Sequence, residues 1–414
     1  MKNKKNNLKR RDVLIGASVL TSAALLSSCD DKVDGGTPDK PKESAAISKN
    51  IISWRMATAW PKNFPGVGMT AENIAKDITR ASGGRLEIKV YGSGEIVPAY
   101  EVFDAVRQNT VEIGHSWSGY WISKHPALAY FGCIPGGLSP SEQSSWISHG
   151  GGQELWEEIL DPFGIQPFQA GIVQTEMFGW YRNPLNSVDD LKGLKIRMAG
   201  LPNEVLNRMG ATAVNIPGGE VLTSFQSGVV DAVEWGGPWM DLAFGFPQIA
   251  NICYGPGIHS PGSVLEILVN KEQYNLLPDD LKKIIKISAS SNSMQSYGEF
   301  INRNSISFQK MIKEHNVEFK VLPSEIITEF LKVSREVVLD NAKKDPAAMN
   351  THDHYHEFFN RHEPIALYAY LRDADNALAE RYFEATRSYI DLYSKIIAPY
   401  PYKKFALVEN SRQT

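Results

Sequence analysis

A stretch of about fourteen residues occurs twice in this chain, about 120 residues apart, and it limits the fold more than any other feature. Glu101-Val-Phe-Asp-Ala-Val-Arg-Gln-Asn-Thr-Val-Glu-Ile-Gly114 matches Glu220-Val-Leu-Thr-Ser-Phe-Gln-Ser-Gly-Val-Val-Asp-Ala-Val233 in pattern. In each, apolar residues recur a turn apart (Val102, Phe103, Val106; Val221, Leu222, Phe225), as on one face of a helix. Asn109 and Gly228 follow, both suited to the left-handed conformation that closes a helix. Val111/Ile113 and Val230/Ala232 then alternate as short strands. Two helix–turn–strand units at domain-like spacing predict two related α/β halves.

Neighbouring segments extend that pattern. Thr70 is placed to cap a helix running through Ile74 and Ile78 to Gly83-Gly84, and residues 85–91 alternate as a half-buried strand. Residues 194–198 read as a strand, a helix runs from Pro202 to Gly210, and 211–216 is a strand again. Strands separated by helices predict mostly parallel sheets. Residues 279–315 contain no proline and one glycine, with apolar residues recurring from Leu281 to Ile312. At ~1.5 Å per residue, that helix is too long for one small lobe and is expected to cross between two. Residues 364–398 also read as helical, with aromatic and alanine faces and an apolar surface that must pack on its own lobes or on another copy.

The N-terminus points to export. Lys2, Lys4, Lys5 and Lys9 precede Arg10-Arg11, an apolar run from Val13 to Leu26, and then Leu26-Ser27-Ser28-Cys29. This order is that of an export signal, and the apolar run is short for a permanent span. Leu-Ser-Ser-Cys resembles a bacterial lipobox, which implies a lipid anchor on Cys29, and Arg10-Arg11 resembles a twin-arginine signal. Residues 30–49 are charged, rich in Pro and Gly, and read as a flexible tether. The leader up to Ser28 carries six Lys/Arg and one Asp, so its removal takes the formal charge from -4 to -9. A mildly acidic domain argues against nucleic acid as a partner. Cys133 and Cys253 are the remaining thiols; they form no disulfide framework, though one bridge between them is open.

In open parallel sheets, ligands bind at the carboxyl ends of strands. The repeat puts His115-Ser-Trp117 and Glu234-Trp235 at such ends, and Arg197 ends another strand. An arginine there can grip a carboxylate by two parallel hydrogen bonds. Glu234 beside Trp235 offers a cation ligand and an apolar wall.

These residues lie in an ordered set of motifs: Asp190-Leu-Lys-Gly-Leu-Lys-Ile-Arg197, Asn203-Glu-Val-Leu-Asn-Arg-Met-Gly210, Ile216-Pro217, Phe225-Gln-Ser-Gly-Val-Val-Asp-Ala-Val-Glu234-Trp235 and Val269-Asn-Lys271. Together they resemble the extracytoplasmic solute receptors (DctP-type subunits) of tripartite ATP-independent periplasmic (TRAP) transporters, over about residues 52 to 345, and most nearly the 2-oxo-acid and lactate receptors. The resemblance implies a periplasmic, two-lobed periplasmic-binding-protein-like α/β fold with a long shared helix and C-terminal helices. It assigns 50–174 plus 263–302 to one lobe, 175–262 plus 303–362 to the other, and 363–414 to a C-terminal helical segment. It further implies a small organic acid as ligand, TRAP membrane subunits as partners, and a homodimer joined through the C-terminal helix.

Residue by residue, the resemblance puts the carboxylate-binding arginine on Arg197 and an aromatic hydroxyl on Tyr120. A metal-ligating glutamine falls on Gln174, and the Glu-Trp pair on Glu234-Trp235. A sodium or calcium ion would bridge protein and ligand. The subgroup's Gly-Trp-His-Glu-Pro-Gly is Gly257-Ile-His-Ser-Pro-Gly262 here, so Ser260 stands where a metal-ligating carboxylate is expected and Ile258 replaces a tryptophan. Losing that negative charge predicts a weak or monovalent cation, or none, over tightly held calcium, since ligand charge sets hard-cation affinity. Glu266 is the nearby carboxylate that could substitute.

Two other constellations point elsewhere. Gly114-His-Ser-Trp-Ser118 nearly spells a nucleophile elbow, and His149-Gly-Gly-Gly152 resembles an esterase oxyanion motif; together they would make Ser116 the nucleophile of a secreted serine hydrolase. Ser118 stands where the elbow needs glycine, and the glycine run follows the serine instead of preceding it. The expectation is therefore a binding protein with no catalytic residue. His352, His354 and His356 have partial metal-ligand spacing but read as a solvated helix face or loop. Gly66-Val-Gly68 follows prolines and reads as loop.

Overall fold

In the computed structural model, the described residues are 51–361 apart from Thr175, with the strand backbones 366–370 and 404–408. The signal, Cys29, the tether and residues 371–403 lie outside them.

Two sheets carry the fold. The first has the order β2-β1-β3-β10-β4, from β1 (Ile52–Thr58), β2 (Leu86–Tyr91), β3 (Ile113–Ser116), β4 (Ile165–Ile172) and β10 (Val264–Asn270). The second has the order β11-β9-β5-β8-β6-β7, from β5 (Gly179–Tyr181), β6 (Lys195–Arg197), β7 (Thr212–Val214), β8 (Ala232–Val233), β9 (Ile252–Gly255) and β11 (Glu318–Val321). The repeated unit occupies equivalent places. Helix α2 (Val102–Arg107) turns at Asn109 (φ 55°) into β3, and α7 (Gly218–Gln226) turns at Gly228 (φ 76°) into β8.

The parallel expectation needs one correction per sheet. β10 runs antiparallel to β3 and β4, and β5 runs antiparallel to β8 and β9. A parallel neighbour needs a crossover of a dozen or more residues. The links β4–β5 and β9–β10 are shorter: each leaves one sheet at the carboxyl end of a strand, bridges the cleft, and enters the other sheet from its cleft side. The strand so entered must run against its neighbours.

The long helix α10 spans Asp279–His315, 37 residues, with Pro278 before it and left-handed Asn316 (φ 54°) closing it. It packs on β4 and α1 (Val67–Ala81) of the first lobe and on α8 (Pro238–Phe244) of the second. Its inner face includes Ser288, Asn292, Ser293, Ser296 and Asn304. Ser296 accepts from Ile172 N at 3.0 Å, and Asn292 donates to Asp77 at 2.9 Å.

Helix α1 starts earlier than Thr70. Gly66 (φ 77°) precedes it, Gly68 is already helical, and the buried Thr70 hydroxyl bonds back to Gly66 O at 2.9 Å. A side chain on Gly66 would meet Phe300 of α10 at 2.6 Å, so close approach as well as backbone angle requires glycine. Between α1, α10 and the first sheet, Trp54, Met56, Ile74, Ile78, Ile113 and Ile267 form a buried cluster. Each contributes about 1.5–3 kcal/mol of burial.

Helices α3 (Leu128–Gly132), α4 (Pro140–His149) and α5 (Gly152–Leu160) follow β3. Helix α6 (Leu201–Arg208) follows β6, and α9 (Lys271–Leu276) follows β10. Helix α11 (Ser324–Ala342) packs on α6, and α12 (Pro346–Phe359) packs on α3 and α5. The histidines of α12 are therefore not a solvated face. His352 Nδ1 lies 2.7 Å from the Tyr130 hydroxyl, His354 Nδ1 accepts from Trp146 Nε1 at 3.1 Å, and Tyr355 is buried beside them. Burial, with His352 adjacent, pushes the His356 imidazole down to about 4. These groups tie helices together and hold no metal cluster among the described residues.

Cys133 and Cys253 are both buried and free. At the C-terminal end, Ala366–Tyr370 is a strand (β12) paired in parallel with Lys404–Val408 (β13), where a helix was expected. Ala-Leu-Tyr-Ala-Tyr has a period of two as well as a helical reading. The rest of the expected helix lies outside the described residues.

Candidate functional site

The carboxyl ends of β3, β6 and β8 converge on one small cavity with both crossing segments, 173–178 and 256–263; its volume is about 50 Å³. Arg197, Glu234, Trp235, Tyr120 and Ser260 all line it, as do Glu176 and His259.

Arg197 is 2 % exposed and Glu234 3 %. Arg197 Nη1 donates to Glu234 Oε2 at 2.8 Å and also to the Glu234 carbonyl, while Nε donates to Ile216 O at 3.3 Å. The guanidinium lies over the Trp235 ring at 4.9 Å. A guanidinium has five N–H groups. Three are engaged here, two with Glu234 and one with Ile216. Burial works to raise the Glu234 carboxyl, but Arg197 and His259 outweigh it and hold it below the usual range.

Glu176 and His259 were missed in the sequence. His259 Nε2 sits 3.4 Å from Glu176 Oε2 and 3.5 Å from Glu234 Oε1. Burial alone would lower this imidazole; the two carboxylates instead raise it to about 9. Burial holds Glu176 above the usual carboxylate range, against the pull of His259. Glu176, Glu234 and His259 offer ligand atoms all within 4.8 Å of one another. The buried Ser260 hydroxyl has no hydrogen-bond partner. Two buried carboxylates and an orphan hydroxyl are an oxygen donor set that fits a hard cation.

Gln174 is the predicted ligand that the fold does not bring to the cavity. Its Oε1 accepts from Asn304 Nδ2 of α10 at 3.0 Å, and Asn304 Oδ1 accepts from Trp239 N at 2.9 Å. It ties the first crossing segment to the shared helix. Two residues on, the buried Glu176 brings a second carboxylate to the cavity, beside Ser260. The available signal was the run Gln174-Thr-Glu176, which puts two candidates in one crossing segment; for His259 it was the histidine kept beside Ser260.

The first lobe supplies neutral groups. Tyr120 packs at tilted and edge-on angles among Trp60, Tyr100 and Trp117 at 5.0–6.1 Å, and burial raises its phenol. His115 Nδ1 accepts from Trp60 Nε1 at 2.7 Å; burial pushes this imidazole down to about 4, so it stays neutral and holds Trp60. Tyr100 donates to Asn215 Oδ1 at 2.7 Å, joining the two lobes at the cleft. Ser116 is buried and donates to Glu266 Oε1 at 2.6 Å, and Trp121 Nε1 donates to the same oxygen at 2.7 Å. Ser116 therefore has a carboxylate where a nucleophile needs a histidine, and His149 bonds Ser148 at the end of α4. Glu266 is held inside the first lobe and does not line the cavity.

The profile of a bacterial extracellular solute-binding protein family, family 7 (DctP), matches residues 56–345. The chain belongs to this family. It is similar to a monocarboxylate 2-oxoacid-binding periplasmic protein of Nostoc sp., 34 % identical over 357 residues, covering 85 % of this chain and 94 % of that one. It is also similar to the TRAP periplasmic solute-binding protein of Colwellia psychrerythraea, solved with calcium and pyruvate. The TM-score is 0.72 at 32 % identity, covering 83 % of this chain and 99 % of that one. The corresponding protein of Pseudoalteromonas atlantica, solved with sodium and pyruvate, gives 0.72 at 30 %, covering 82 % and 99 %. The fold and family are those of non-enzymatic transport components: this is a TRAP-type solute-binding receptor acting in the periplasm. The hydrolase reading of Ser116 is dropped. Among the described residues, no helix is long and apolar enough to cross a membrane.

Proposed function

We propose that the receptor captures a small 2-oxo or 2-hydroxy monocarboxylate together with a calcium or sodium ion and delivers it to TRAP membrane subunits. The observation that carries this reading is the buried cluster of Arg197, Glu234, Glu176 and His259 in the interlobe cavity. Arg197 takes the carboxylate. Glu176 and Glu234 hold the cation, and His259 and Ser260 border it. The bound ion would supply a positive charge that the ligand's carboxylate and 2-oxygen can both reach. Tyr120 and Trp235 close the sides. Val67, Val173, Met240 and Leu265 line the remainder, an apolar end that suits an alkyl group and disfavours a second carboxylate.

The same reading places a lipid on Cys29, with residues 30–49 as tether. The lobes divide at 174/175, 262/263 and near 302/303, and α12 returns to the first lobe. The receptor is a homodimer.

Titration calorimetry of pyruvate, lactate, malate and a sugar, before and after chelation, tests the ligand class. Pyruvate or lactate should bind, malate should bind poorly, and either calcium should restore what chelation removes or sodium should restore what dialysis into sodium-free buffer removes. Binding of the sugar alone would refute the proposal.

A further inference from the structure

The apolar end of the cavity is closed by four side chains, and one differs in kind from the rest. Val67 opens α1, Val173 is tied by its N–H to Ser263 O at 3.0 Å, and Leu265 sits in β10. The two valines are β-branched and stiff, and Leu265 lies over Gly171 of the adjoining strand. Met240 of α8 is unbranched, with a thioether that adapts to irregular gaps. It is 2 % exposed.

Met240 occupies a slot with a glycine from each lobe. A Cβ built on Gly236 would collide with Met240 Cε, and one built on Gly66 would come within 3.3 Å of its Sδ. Gly236 follows Trp235 in the second lobe, and Gly66 precedes α1 in the first. Beside Gly66 stands Phe300 of α10, fully buried and met edge-on by Trp239 at 5.4 Å. Neither glycine has a side chain that could follow if the thioether were gone. A space walled by two glycines and a held ring stays open, because truncating a buried side chain leaves a cavity where the surroundings cannot collapse. The cavity itself is only about 50 Å³, room for a few water-sized groups. We propose that Met240 sets the chain length of the acid this receptor accepts: short 2-oxo and 2-hydroxy monocarboxylates fit with Met240 in its slot, and each further methylene must displace it. This rests on the monocarboxylate reading above and names the residue that grades its members.

Titration calorimetry of the full chain, with calcium and sodium present throughout, ranks pyruvate, 2-oxobutyrate and 2-oxovalerate. One methylene in an apolar pocket changes affinity by roughly 10- to 200-fold. The wild type should weaken at each step up this series. Met240→Ala should move the ratio of 2-oxovalerate to pyruvate affinity by roughly tenfold or more in favour of the longer acid. Gly236→Ala works in the other direction. Gly236 has no left-handed φ, so the backbone accepts alanine, and the new methyl drives the flexible end of Met240 into the cavity. It should weaken 2-oxobutyrate more than pyruvate. In the double variant Gly236→Ala/Met240→Ala there is no thioether to drive, and that length penalty should disappear. A damaged fold weakens all three acids alike and cannot produce opposite shifts. A wild type that binds 2-oxovalerate as tightly as pyruvate, or the wild-type ranking kept in both single variants, would overturn Met240 as the length gauge but leave the ligand class standing. A wild type that takes none of the three acids would overturn both.

Discussion

The repeated helix–turn–strand unit ends at the same cavity from both lobes, yet the two ends differ in charge. At the end of β3 and just beyond it stand His115, Ser116, Trp117 and Tyr120, all neutral. Arg197 ends β6 and Glu234 follows β8, and the two form a buried ion pair. Each lobe also buries a carboxyl group, with opposite results. Glu234 has Arg197 at 2.8 Å and is held low. Glu266 has only a hydroxyl and an indole for partners, and burial pushes it up to about 7. Equal burial thus gives an ionised acid in one lobe and one that still holds part of its proton near neutral pH in the other, because a buried charge is favoured beside its counter-charge. The second lobe and the crossing segments form the charged side of the cavity. The first lobe is an aromatic cover.

The largest test of this division is Arg197→Ala. It leaves both the ligand carboxylate and Glu234 without a cation, and should weaken binding by about 2–5 kcal/mol. Arg197→Lys should recover little, because an ammonium cannot serve Glu234, Ile216 O and a ligand together. Calorimetry reads both, and wild-type affinity in Arg197→Ala would remove the charged lobe from recognition.

The next contrast lies within one crossing segment. Glu176→Ala should weaken calcium or sodium binding by about 10- to 100-fold, while Gln174→Ala should change it little. Cation titration followed by tryptophan fluorescence decides between them. The opposite ranking would return the ligand role to Gln174.

Glu266 gives a pH test in the first lobe. Its folded-state value, about 7, is above the ordinary 4.5. Below 4.5 the group is protonated in both states and makes no difference. As pH rises from 4.5 through 7, the unfolded chain releases this proton first, so folded stability falls, and the loss is complete above 7. Glu266→Gln removes the loss. Its stability relative to wild type should rise by on the order of 1–3 kcal/mol between pH 5 and pH 8. Denaturant melts at both values measure this, and an unchanged difference would mean that Glu266 ionises normally.

The smallest effect is expected where the lobes meet. Tyr100→Phe removes the bond to Asn215 and should cost about 0.5–1.5 kcal/mol of closure, read as faster ligand release by stopped flow. An unchanged release rate would mean the contact does not hold the cleft.

Periodic segments were legible without the fold. The repeat, the 37-residue helix and the strands ending in Arg197 and Glu234-Trp235 all follow from spacing, because regular hydrogen bonding makes a side chain's direction a function of its position. The motifs in order were enough to place the chain in its family. The crossing segments have no such period, so position alone could not say whether Gln174 or Glu176 entered the cavity. Contact with Asn304 turned one toward α10, and the other met His259. The antiparallel strands β5 and β10 likewise depend on where the chain bridges the cleft. Whether a buried carboxyl keeps its charge was not written locally either: Glu234 and Glu266 each follow a strand residue, but the partner that decides between them, Arg197 or Ser116, is distant in sequence and near only after folding.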